Sequence, residues 1–174
     1  MYSAGLGNNE GHLFVCMHGA GHSAMSFAAF AKLMKKTSML YAFDWRGHGT
    51  HTCEDEANLT QEILIDDALK VLEFIRVRHP NKSLNIVGHS MGGSIATKMA
   101  RRLETDLKDT PIGKALSGLI IIDVVEGTAM EALPFMEQIV SNRPTMFKDL
   151  PSVVKYGYTS GQVRDKRSAR VSMP

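Results

Sequence analysis

One serine stands out for the chemistry its neighbours allow. Gly88-His89-Ser90-Met91-Gly92 places a hydroxyl between two glycines. The run before it, Leu84 to Val87, is apolar; after it, Ile95, Met99 and Leu103 recur at helical spacing. A G-x-S-x-G string set between a strand and a helix is the context of a nucleophile elbow, a tight turn that lifts the hydroxyl clear of a sheet. Ser90 is the candidate nucleophile. The backbone amide of Met91, at the helix start, is a candidate donor to an oxyanion. The same string also fits a glycine-rich turn around an inert serine.

Two further clusters follow apolar runs. His18-Gly19-Ala20-Gly21 comes after Leu13–Met17, and Ala20 is the candidate second oxyanion amide. A plain strand-to-helix turn is the other reading. Asp44-Trp45-Arg46-Gly47-His48-Gly49 follows Met39–Phe43 and reads as structural, with Asp44 and Arg46 able to pair. Asp123 closes the apolar run that starts at Leu119, 33 residues after Ser90. An ionised carboxylate is costly to bury without a partner, so Asp123 is the candidate triad acid, with Glu126 in reserve. The elbow architecture takes its residues in the order Ser, acid, His. All seven histidines lie at or before His89, so no general base follows Asp123. His18 is therefore expected to fix a loop rather than act as a base. The chain by itself is expected to turn over little or nothing, as a C-terminally truncated form in preference to a dead relative.

The elements that would hold these residues alternate strand and helix: strands at 13–17, 39–43, 84–87 and 119–125, with helices over 24–36, from Asn58 (capped with Gln61) to Pro80, and from Ser90. Near-continuous Ile and Val in the last strand suit a parallel sheet covered on both faces. The fold class is α/β, with a mostly parallel sheet, helices on both faces and right-handed crossovers. The 174 residues suit one partial domain, with a loose N-terminus at 1–11 and a helical, cap-like region and basic tail at 128–174. A net charge of +2 gives no argument for nucleic acid or a membrane surface. The longest uncharged apolar stretch is too short to span a bilayer. Two cysteines do not make a disulfide scaffold. No histidine spacing suggests a metal set, no cofactor is expected, and the absence of a visible signal segment makes cytosol or nucleus the expectation.

Four segments carry a family resemblance: HGAGHSAMSFAAF (18–30), VGHSMGGSIA (87–96), IIIDVVEGTAMEAL (120–133) and SGQVRDKRSARVSMP (160–174). Across residues 12–173 the chain resembles the protein phosphatase methylesterases, serine esterases of the α/β-hydrolase fold. The resemblance implies removal of the methyl ester from the C-terminal leucine of the protein phosphatase 2A catalytic subunit. It implies Ser90 as nucleophile and Asp123 as triad acid; the family's histidine lies beyond the matching stretch. Three rivals remain. Gly19-Ala20-Gly21-His22-Ser23-Ala24, with Asp44 closing the next strand, also fits a dinucleotide-binding fingerprint, but that reading leaves Gly88–Gly93 and Asp123 without a role. A non-catalytic phosphatase-binding fragment and a generic small-ester hydrolase are the other two.

Overall fold

The computed structural model of the chain describes residues 1–124, 134, 135, 138 and 141–173. Strand β1 is Tyr2–Ala4, β2 Leu13–Met17, β3 Met39–Phe43, β4 Leu84–His89 and β5 Leu116–Ile122. A 3-10 turn at Ala24–Phe27 leads into helix α1, Ala28–Met34. Helix α2 is Gln61–Arg78, α3 Met91–Thr105, α4 Pro111–Ala115, α5 Leu150–Thr159 and α6 Lys166–Ser172. The sheet runs β1-β3-β2-β4-β5, with β1 antiparallel to β3 and the other pairs parallel.

The central strands are apolar at consecutive positions because both sheet faces are covered. Leu13, Val15 and Met17 point to the α2/α3 face, where they join Leu72, Ile75, Ile86, Ile95 and Met99 in the larger core. Cys16 points the other way and packs with Phe27, Leu40 and Val87 under α1. Burial there pushes the Cys16 thiol up to about 12, which leaves it un-ionised. The period-2 alternation puts Val87 and His89 on the α1 face and leaves Ser90 at the carboxyl end of β4, the usual location of sites in α/β sheets.

Three local expectations are corrected. The first eleven residues are not loose: Tyr2–Ala4 pairs with β3, and Lys82 Nζ donates to the carbonyls of Asn8, Asn9 and Gly11. Asn58 does not cap α2. Thr60 holds that position, and Asn58 Oδ1 accepts from the Thr60 amide at 3.4 Å. The helix starts too late for Gln61 to sit three places inside it, where a capping partner is needed. The helix expected over 24–36 opens as the 3-10 turn and ends at Met34. Residues 128–133 lie outside the described residues.

Among the described residues β5, like β1, is an edge strand of the sheet. Leu119, Ile120, Ile121 and Ile122 are 38–46% exposed. Unpaired edges with apolar side chains template self-association. The chain is expected to self-associate at micromolar concentration, and Ile120→Lys, which places a charge on the edge, to shift it to monomer in sedimentation velocity. Identical profiles for the two proteins would show that β5 is not the contact.

Candidate active site

Ser90 has the strained backbone of an elbow, with φ 51° and ψ −118°. A non-glycine residue in this region costs free energy, and such strain clusters at functional sites. The surrounding glycines exist for space. A Cβ on Gly88 would lie 2.6 Å from Gly92 O and from Gly93 Cα; one on Gly92 would lie 2.4 Å from Met17 O. Only hydrogen at these positions lets α3 start this close to β2 and β4. The amides of Gly93 and Ser94 both bond Ser90 O. Met91 is the first residue of α3, where a helix supplies no internal acceptor, so its amide is available to an oxyanion.

The loop after β2 packs directly on the elbow. A Cβ at Gly19 would meet Ser90 Cβ at 3.1 Å and His89 Nδ1 at 3.0 Å. Gly19 is buried and Ala20, next along, is exposed. The Gly21 amide donates to His48 Nε2 at 3.0 Å, so it is committed to the loop rather than to a substrate. Ala20 thus follows directly on Gly19, which packs on Ser90, and precedes Gly21, whose amide is already held.

His18 is fully buried. Its Nδ1–H donates to Gly19 O at 2.8 Å and its Nε2 accepts from the Trp45 amide at 3.2 Å. Trp45 Nε1–H donates back to His18 O at 2.9 Å. Both ring nitrogens are occupied by the backbone, as befits a loop-fixing residue. Burial is the main reason the His18 ring is pushed down to about 4, with a smaller contribution from His48, against an upward pull from the Gly19 bond.

Asp44 does not pair with Arg46. Its carboxylate accepts from the Ala24 amide at 2.7 Å and from the Thr50 amide and hydroxyl at 3.3 and 3.2 Å. Burial alone would raise its pKa, but these bonds outweigh it and hold the carboxyl below the usual range. Arg46 turns outward to Asp67 of α2, 2.7 Å away. With Asp44 buried and committed to three donors, it is not free to bind a ribose as the dinucleotide reading requires.

Asp123 stands beside the elbow. β5 pairs with β4 so that His89 lies opposite Ile122, and the Ser90 amide donates to Ile122 O at 2.9 Å. Asp123 also has positive φ, 53°. Its carboxylate is solvated rather than buried, with its side chain 77% exposed and Oδ2 3.9 Å from His89 Nε2. Asp123 is therefore a candidate by its position beside Ser90 and not by burial. Glu126 lies outside the described residues. The His22 ring is 5.5 Å from that of His89, and its Nδ1 lies 3.3 Å from Ser26 Oγ. Burial, then His89 and Arg143, keep the His22 ring below its ordinary value. His48, read from sequence as structural, proves to accept from the Gly21 amide in the loop after β2; the signal was its place in the glycine turn after β3. Among the described residues there is no cluster of three or more metal-ligating side chains and no helix long and apolar enough to cross a membrane.

Comparison with known proteins bears on family and fold. The profile of the serine aminopeptidase S33 family (Hydrolase_4) matches residues 8–144. Protein phosphatase methylesterase 1 of Bos taurus is 38% identical over 167 residues, covering 95% of this chain and 42% of that protein. The protein of the same name from Schizosaccharomyces pombe is 37% identical over 170 residues, covering 95% and 48%. The chain thus spans less than half the length of these relatives. Among solved structures, a thioesterase domain from the curacin biosynthetic pathway superposes with TM-score 0.66 at 19% identity, covering 97% of this chain and 60% of that one. E-2-(acetamidomethylene)succinate hydrolase gives 0.69 at 20% identity, covering 93% and 55%. At such identity the structural likeness speaks for the fold alone, which is that of the α/β-hydrolases.

Proposed function

Because the chain belongs to the serine aminopeptidase S33 family of hydrolases, we propose that Ser90 is the nucleophile of a serine carboxylesterase whose substrate is a protein methyl ester. The observation that carries this reading is the strained backbone of Ser90, held by glycines that admit no Cβ. In the reaction, Ser90 Oγ attacks the ester carbonyl and its proton passes to a histidine oriented by Asp123. The amides of Met91 and Ala20 hold the oxyanion; methanol leaves, and water then frees the acid from the acyl-enzyme. The relatives' name supports a methylated protein phosphatase as substrate, and the finer assignment is the C-terminal leucine methyl ester of the protein phosphatase 2A catalytic subunit. No histidine lies between Ser90 and Pro174, so the 174 residues alone are expected to hydrolyse such a peptide ester barely or not at all.

An elbow and oxyanion hole without the base retain catalysis of about 10³–10⁴-fold over water in other serine hydrolases. A fluorophosphonate is therefore expected to label Ser90 faster in the folded chain than in urea, with no adduct at that site in Ser90→Ala. Equal rates in folded and unfolded protein would overturn the assignment. Ester turnover at the rate of a complete esterase would show that a base had been overlooked. A second reading is phosphatase binding without turnover by these 174 residues. Capture of the methylated phosphatase without demethylation would distinguish it.

A further inference from the structure

We propose that His48 is the positioning residue of the oxyanion loop and that it works only as the neutral, Nδ1-protonated ring. The proposal rests on the esterase reading for its purpose, though not for its geometry. His48 Nδ1 lies 2.9 Å from Arg46 O and its Nε2 lies 3.0 Å from the Gly21 nitrogen. Gly21 has only an N–H to offer and Arg46 O can only accept. The two contacts together therefore require the proton on Nδ1 and a lone pair on Nε2. The ring is a strut from the β3 turn to the loop that carries Ala20.

Its far end is anchored to the scaffold. Arg46 donates through Nε to Asp67 Oδ2 of α2 at 2.7 Å and through Nη1 to Asp55 O at 3.1 Å. Gly21, at the near end, has φ +71° and turns the chain one residue after Ala20. The loop thus has two histidine ties to the β3 turn: His18 from Gly19 to Trp45, and His48 from Gly21 to Arg46. They flank Ala20 and set which way its amide points.

Protonating His48 gives both nitrogens a hydrogen. Nε2–H then opposes the Gly21 N–H, and the tie becomes a repulsion. The titratable and charged groups around it are His18, whose ring is 5.2 Å away, His22 across the loop, Arg143 with Nη1 3.0 Å from the Cβ position of Gly21, Asp44 behind Thr50, and Arg46 itself. Asp44 is already committed to three donors, so its carboxylate is not free to hold a second ring proton.

The test uses the full 174-residue chain, labelled with ¹⁵N. A long-range ring spectrum is expected to show His48 carrying its proton on Nδ1, with Nε2 free to accept. His48→Ala should speed exchange of the Gly21 amide by about tenfold, the equivalent of one lost hydrogen bond, and shift the Ala20 amide. His48→Gln, whose side-chain oxygen reaches the Nε2 position, should restore the protection; His48→Asn, which is shorter, should not. An Nε2-protonated ring, or rescue by Asn as well as by Gln, would overturn the proposal. The ring spectrum of the wild type decides even if His48→Ala fails to fold. All of these readouts are independent of ester cleavage: failure of Ser90 to label would remove the esterase reading and leave the tie intact.

Discussion

Gly92→Ala should collapse the elbow, while Gly93→Ala one residue on should be tolerated far better. The difference lies in what each new methyl would meet. At Gly92 it would lie 2.4 Å from Met17 O and 2.6 Å from His18 O, both backbone atoms at the end of β2. Neither can rotate away, because β2 is hydrogen-bonded on both sides, to β3 and to β4. Relief requires moving α3 bodily off the sheet, which opens contacts of the core residues Ile95, Met99 and Leu103. Overpacking costs about 1–3 kcal/mol where side chains can yield, and more where they cannot. At Gly93 the tightest contact is Val124 Cγ2 at 2.6 Å, the end of a side chain, followed by Gly88 O at 3.1 Å. Urea unfolding should therefore show a loss of about 3 kcal/mol or more for Gly92→Ala and less than half of that for Gly93→Ala. Fluorophosphonate labelling of Ser90 should fall to the unfolded rate in the first variant only. Equal losses would mean that space between α3 and β2 is not what Gly92 supplies.

This contrast also shows why the elbow was visible in the sequence and other parts were not. Gly88 and Gly92 are required by close backbone approach within a short stretch, so the pattern is local. The strands at Leu13–Met17 and Met39–Phe43 were legible with their observed limits because burial on both faces demands apolar residues at every position. Partners across the fold were not legible. Arg46 lies two residues from Asp44, yet it reaches Asp67 on α2 because Asp44 is taken up by the Ala24 and Thr50 amides. Tyr2–Ala4 has too few residues to show alternation and becomes a strand only because β3 offers it an edge. Burial at the end of an apolar strand is the sequence's reason to single out Asp123, yet its side chain is 77% exposed, because exposure depends on what lies beside an edge strand. His48 stands out in the sequence only as part of a glycine turn; its link to Gly21 joins residues 27 apart in the chain.

Acid should unfold this protein earlier than its carboxylates alone predict, and His18 should account for most of the difference. In the unfolded chain a histidine takes up a proton near its model value of 6.5, whereas His18 in the fold does so only near about 4. Between these values the unfolded state binds the extra proton and the folded state does not. Stability therefore falls as pH drops from 6.5 towards 4 and is fully retained above 6.5. A shift of this size corresponds to about 3 kcal/mol lost by pH 4, a large share of the stability of a small domain. The structural consequence is specific: a protonated ring can no longer accept from the Trp45 amide, so the tie between the β3 turn and the oxyanion loop opens before the sheet does. His22 and His79 are also held below their ordinary values, chiefly by burial, and act with the same sign. A comparison of variants is needed to separate them. Urea unfolding at pH 7 and at pH 4.5 should show a steep fall for the wild type and a markedly shallower one for His18→Gln, which cannot take up the proton, although that variant starts from a lower stability at pH 7. Parallel slopes for the two proteins would show that His18 titrates normally in the fold, and that its burial against Trp45 does not exclude the charged ring.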